Sequence, residues 1–232
     1  MSGSRMSHIS VAVTACGAYS TPSTIREILA MILYSSPPSP FGRKIKLAAH
    51  VLGMIDDITL KPTSTTDPDD DIRSINPLGK IPALVVDGAT LYDSRVIMEY
   101  LDSRAGGGQI IPASGMDRFI CLTAAAKMDG ILDAGLLIVY EGRFRSAEMQ
   151  VETVVNSYRD KIVRGLKSIN AGPYTNGAKP DVAEIGLACT LDYLDFRQIV
   201  EWRDIAPELV DWMAAFGDKV PGYAQTIPAD PK

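Results

Sequence analysis

From Ile28 onward the chain alternates short apolar runs with stretches of helical period. Residues 29–34 form a short apolar run that breaks into Ser-Ser-Pro-Pro-Ser-Pro, which predicts a buried strand ending in a loop. Over 41–52 the apolar positions Ile45, Leu47, Ala48, Val51 and Leu52 recur at helical spacing with Arg43, Lys44 and Lys46 opposite, and Gly53 closes the helix. Residues 58–61 suit a second strand, and 69–76 a short helix with an acidic start. Residues 82–86 and 90–92 flank Asp87-Gly88, a hairpin signal, and 94–103 set Val96, Ile97, Tyr100 and Leu101 on one helix face. The order strand, helix, strand, helix, hairpin, helix predicts a small α/β domain with a mixed sheet.

Residues 105–112, Ala-Gly-Gly-Gly-Gln-Ile-Ile-Pro, read as a linker, and beyond them strand signals almost vanish. Helices are expected over 119–140, 147–169, 182–196 and 207–216, with no repeat period that would make a solenoid. Asp181-Val-Ala-Glu184 has the spacing of a capping box and is read as structural. The expected division is an extension over 1–30, an α/β domain over 31–105, a linker over 106–114 and an all-helical domain over 115–232.

Composition narrows the chemistry. The 232 residues carry a net charge of -5, which gives no reason to expect nucleic acid or another polyanion as partner. The three cysteines, Cys16, Cys121 and Cys189, form no CxxC, and His8 and His50 lie near neither a cysteine nor each other. No metal site, dithiol redox site or disulfide framework is expected, and the composition fits a reducing cytoplasm. In 1–30 the apolar run 9–16 is too short and interrupted to span a membrane. It has a faint lipoprotein-box and transit-peptide character. The extension is read as disordered, or as the product of an upstream start with Met31 the true beginning.

Three places in the first domain suit a ligand. Ser39 before Pro40 has the form of a helix N-cap and N1 pair, yet it also lies at the carboxyl end of a strand and the positive end of a helix, where anions bind. Pro82 enters a strand directly after Ile81 and is either a plain turn proline or a cis proline. The cis form would present the Ile81 backbone for pairing with an extended peptide. Asp93 and Ser94 either cap their own helix or receive an ammonium and a carboxylate. Each signal alone has a structural explanation; their joint order is the informative feature.

The run 31–44 (Met-Ile-Leu-Tyr-Ser-Ser-Pro-Pro-Ser-Pro-Phe-Gly-Arg-Lys), then Asn-Pro-Leu-Gly-Lys-Ile-Pro-Ala-Leu-Val, then Leu-Tyr-Asp-Ser-Arg-Val-Ile-Met-Glu-Tyr-Leu-Asp, closely resembles bacterial glutathione S-transferases. The similarity continues through Asp-Gly-Ile-Leu-Asp-Ala at 129–134, Tyr140-Glu-Gly-Arg143 and Tyr193-Leu-Asp-Phe-Arg197. It implies a thioredoxin-like mixed-sheet domain followed by a C-terminal helical bundle, with glutathione as co-substrate. Pro82 matches the family's cis-proline, and Ile81 the residue whose backbone pairs with the cysteinyl part of glutathione. Asp93 and Ser94 match the acidic-Ser pair at the γ-glutamyl end, and Lys80 a position near the tripeptide. Ser39 matches the residue facing the thiol in the serine-type classes, with Ser36 the second candidate. The resemblance also implies a homodimer.

A seryl hydroxyl would act as a hydrogen-bond donor to the thiolate, because serine does not ionise near neutrality. A hydrogen bond to a charged group contributes roughly 1.5–3 kcal/mol, or about one to two pKa units, which brings a thiol of pKa about 8.5 close to neutrality. Mixed-disulfide chemistry needs a protein thiolate at the same place and is not expected. The electrophile should sit between the domains, where residues around Met128, Leu136 and Tyr140 are candidates for an apolar wall or for plain core. Two other readings stay open: a non-catalytic binding or regulatory protein on this fold, and a glutathione-dependent isomerase, dehalogenase or lyase on the same site.

Overall fold

The computed structural model describes residues 31–172 and 179–230; the reading of 1–30 as an extension lies outside the described residues. Four strands form one sheet in the order β2-β1-β3-β4: β1 Met31–Ser35, β2 Ile58–Pro62, β3 Ala83–Val86 and β4 Ala89–Tyr92. β1 runs parallel to β2 (Leu33 opposite Leu60) and antiparallel to β3 (Leu33 opposite Leu84), so the sheet is mixed. A parallel pair needs a crossover, and α1 (Pro40–Val51) supplies it. β3 and β4 are joined through Asp87 (φ 53°) and Gly88 (φ 76°). Two consecutive positive φ angles are what a tight type I′ hairpin requires.

Strand alternation sorts the side chains by face. Met31, Leu33, Leu84 and Val86 enter the main core with α1 and α3 (Ser94–Arg104). Tyr34 and Ala83 face the other way, against Ile72 of the one-turn helix α2 (Ile72–Ile75). α2 is shorter than the helix expected over 69–76. Asp67 and Asp70 accept the backbone N–H groups of Asp69 and Ile72, both at 2.9 Å, and such local bonds compete with helical ones.

The 105–112 segment is tied down by one buried side chain. The Asp102 carboxylate accepts the backbone N–H groups of Gly108, Gln109 and Ile110 at 2.8–2.9 Å. Helices follow: α4 (Gly115–Phe144), α5 (Glu152–Lys167), α6 (Val182–Phe196), α7 (Trp202–Ile205) and α8 (Leu209–Lys219). α4 extends beyond both ends of the stretch expected, the 147–169 stretch splits into a 3-10 turn (Ala147–Met149) and α5, and α7 had no counterpart in the sequence pattern. The capping box is present: Asp181 accepts from Glu184 N–H at 2.9 Å, and Glu184 accepts from Asp181 N–H at 3.0 Å. Among the described residues no helix is long and apolar enough to cross a membrane.

The polar side of α1 requires a correction. Arg43 and Lys44, opposite the apolar stripe, are 1% and 2% exposed, because α1 is covered on that side by the helical half. Arg43 donates to Asp192 of α6 at 2.5 Å and lies against the Tyr223 ring, while Lys44 donates to Asp129 of α4. Buried charges of this kind persist only when paired. One core runs through both halves, from Met31 and Leu33 to Leu191 and Phe216.

Candidate active site

The carboxyl end of β1, the loop before β3 and the start of α3 converge on a cavity of about 620 Å³, walled on its far side by α4 and α6. Ser36, Ser39, Lys80, Ile81, Pro82, Asp93 and Ser94 all line it. Every site residue expected from the sequence is thus brought to one place.

Ser39 is the N-cap of α1, and its Oγ accepts the Gly42 N–H at 3.1 Å. That bond uses an acceptor lone pair and leaves the hydroxyl proton to be donated. Pro40 at N1 lacks an N–H that would go unpaired in any case. Ser36 also faces the cavity, and its carbonyl accepts the Ser39 N–H at 3.2 Å, closing the turn. Ser35, one residue earlier, points away: it is buried, absent from the lining, and its Oγ has no hydrogen-bond partner among the described residues. A Cβ on Gly42 would lie 2.1 Å from that oxygen, so the first turn of α1 needs glycine to approach β1 this closely.

The Ile81–Pro82 peptide bond is cis. Ile81 stands outside both strand registers, and its N–H and C=O have no backbone partner among the described residues. Asn76 holds the loop before it, donating to the Lys80 carbonyl at 2.8 Å and accepting from Leu78 N–H at 3.0 Å.

Asp93 is the N-cap of α3 and adopts φ 63°, a left-handed conformation that costs a non-glycine residue of order 1–3 kcal/mol. Its carboxylate takes the Arg95 backbone N–H at 2.9 Å and the Arg95 guanidinium at 3.0–3.2 Å. Burial pushes the Asp93 carboxyl up, and the Arg95 bonds more than offset this, leaving it below the ordinary carboxylate range. Ser94 opens α3, so its N–H is among the first four that no helical carbonyl satisfies. Its buried Oγ lies 3.4 Å from the Lys44 ammonium.

Several further residues line the cavity. Asp129 and Asp133 of α4 face the cavity beside Arg95, and Asp129 Oδ2 lies 3.7 Å from Arg95 Nε. Burial first, then the Asp129 charge, raises the Asp133 carboxyl above its usual value. Of the three candidates for wall or core, Leu136 and Tyr140 line the cavity and Met128 is core, packed on Gly186. Cys121 and Cys189 are buried outside the lining, and burial pushes each thiol up to about 11. The signal for Asp129 was its helical spacing from Asp133; nothing in the pattern marked Lys44 as its partner.

Comparison with known proteins supplies the frame. The profile of the glutathione S-transferase N-terminal domain matches residues 33–109, and that of the C-terminal domain residues 141–215. An uncharacterised GST-like protein of Escherichia coli K12, YibF, is 32% identical over 186 residues, covering 78% of this chain and 90% of its own length. A glutathione transferase family member from Pseudomonas fluorescens Pf-5, solved with bound glutathione, is 38% identical with a TM-score of 0.78 over 87% of this chain and all of its own. A glutathione S-transferase from Methylobacillus flagellatus, also with glutathione bound, is 33% identical with a TM-score of 0.78, covering 86% of this chain and all of its own.

Proposed function

The chain belongs to the glutathione S-transferase family, and we propose that it is a serine-type transferase joining glutathione sulfur to a small electrophile. The observation that carries this is the Ser39 hydroxyl, which faces the cavity with its oxygen held by Gly42 N–H and its proton given to no acceptor among the described residues. Ile81 would pair through its free N–H and C=O with the cysteinyl segment. Ser94 would receive the γ-glutamyl carboxylate on its N–H and hydroxyl, Asp93 the ammonium, and Lys80 a further carboxylate.

In this arrangement Ser39 donates a hydrogen bond to the sulfur and favours the thiolate over the thiol. The positive end of α1 adds roughly 0.3–1 kcal/mol in the same direction. At a chloroaryl carbon the sulfur lone pair forms the C–S bond, the C–Cl bond breaks, and chloride leaves with its electron pair. Ser39 is neither nucleophile nor general base. The domain division at 31–105 and 115–232, the homodimer and the cytoplasmic location belong to the same proposal.

Retention on immobilised glutathione and conjugation of 1-chloro-2,4-dinitrobenzene test it. Wild type should be retained and active. Ser39→Ala should still be retained but lose about 10- to 100-fold in kcat/KM, the equivalent of one charge-assisted hydrogen bond. Unretained wild-type protein, or unchanged turnover in Ser39→Ala, contradicts the mechanism.

A further inference from the structure

Two Tyr–Arg pairs share one end of the cavity: Tyr140 and Arg143 on α4, Tyr193 and Arg197 at the end of α6. On α4 the lining residues Asp133, Leu136, Leu137, Tyr140 and Arg143 recur three or four apart or adjacent, which is one helix face. Ten residues separate Asp133 from Arg143, a rise of about 15 Å. The stripe therefore runs from the carboxylates beside Arg95, through leucines, to a guanidinium.

The two arginines meet little negative charge. Arg143 lies over the Tyr140 ring at 5.7 Å and has no ion pair among the described residues. Arg197 packs on the Phe196 ring at 4.3 Å, and its Nε is buried with no hydrogen-bond partner among the described residues. Its ion-pair partner among the described residues is Asp230 at 3.7 Å, beyond hydrogen-bond reach and 77% exposed. Tyr140 and Arg143 lie within one turn of α4, Tyr193 and Arg197 within about one turn at the end of α6, and all four border the same cavity. Two guanidiniums bordering one cavity, the exposed Arg143 and the largely buried Arg197 whose Nε has no partner among the described residues, favour an anion at that end.

We propose that this end binds a carboxylate on the electrophile, and that the second substrate is an aromatic carboxylic acid carrying a leaving group. The tyrosine rings and Leu136 supply the apolar wall for the arene, and the arginines hold the carboxylate away from the reacting carbon. The carboxylate is unchanged in the reaction: the C–S bond forms at the ring carbon as the carbon–halogen bond breaks, and halide leaves with the electron pair. The inference rests on the glutathione transferase reading for its sulfur nucleophile.

Binding of two glutathione conjugates to the full chain tests it by calorimetry: S-(4-carboxybenzyl)glutathione and the isosteric S-(4-carbamoylbenzyl)glutathione. The acid should bind at least about tenfold more tightly, as expected of a charge-assisted bond replacing a neutral one. The affinity ratio should fall towards one in Arg143→Gln, Arg197→Gln and the double variant, with folding checked by circular dichroism. Equal affinities in the wild type overturn the carboxylate site and leave the glutathione reading standing, whether or not the variants fold. A preference that survives in the folded double variant overturns it as well. Binding of neither conjugate removes both readings.

Discussion

Lys44 of α1 donates to the Asp129 carboxylate of α4, and both side chains are buried where the sheet half meets the helical half. The same ammonium lies 3.4 Å from Ser94 Oγ, and the other Asp129 oxygen 3.7 Å from Arg95 Nε. One ion pair thus ties the start of α3, with its Asp93–Ser94 corner, to the helix that walls the far side of the cavity.

Replacing Asp129 by Asn leaves the Lys44 ammonium buried without its counter-charge. Breaking one side of such a pair costs about 3–5 kcal/mol, read as a lower urea midpoint with an unchanged slope. Replacing both partners by apolar residues, Lys44→Met with Asp129→Leu, should recover much of the loss. A single Asp129→Asn that unfolds like the wild type shows that the pair does not hold the halves together.

Ser35 and Ser39 should separate cleanly. Ser35 Oγ is buried, has no hydrogen-bond partner among the described residues and is pressed under Gly42. Removing an unsatisfied buried hydroxyl is neutral or stabilising. Ser35→Ala should therefore keep conjugation and match or exceed wild-type stability, whereas Ser39→Ala loses turnover. Loss of activity on Ser35→Ala with Ser39→Ala unaffected places the hydroxyl at the wrong serine.

How far the sequence carried this picture depended on how local the cause was. The hairpin at Asp87-Gly88, the capping box at Asp181 and the Ser39–Pro40 cap arise from neighbouring residues, and the structure has them where the spacing puts them. The helix expected over 69–76 is present only as the single turn at 72–75, where the Asp67 and Asp70 side chains make local turn bonds to the Asp69 and Ile72 N–H groups. Arg43 and Lys44 failed for a non-local reason: a charged helix face looks solvated until another domain with Asp129 and Asp192 covers it. The Tyr–Arg end of the cavity is of the same kind, since residues 140–143 and 193–197 meet only through the packing of α4 on α6.

The Asp133 carboxyl gives a pH signature. Burial and the Asp129 charge raise it in the folded chain, so the fold favours its protonated form. Below the unfolded value of about 3.9 both states are protonated and Asp133 carries no penalty. As pH rises through that value and up to the raised folded one, the unfolded chain ionises first and stability is lost. Asp133→Asn should therefore be more stable than wild type at neutral pH, with the gain shrinking as pH falls towards 4. A gain independent of pH, or a loss at neutral pH, contradicts this account of Asp133.

The central claim is that Ser39 stabilises a thiolate, and titrating bound glutathione by its thiolate ultraviolet absorbance tests it most directly. In the wild type the apparent pKa should lie about one to two units below the free thiol's value of about 8.5. Ser39→Ala should return it most of the way while glutathione remains bound. An unshifted thiol in the wild type, or the same lowered value in Ser39→Ala, would show that the hydroxyl at residue 39 caps its helix and does nothing for the sulfur.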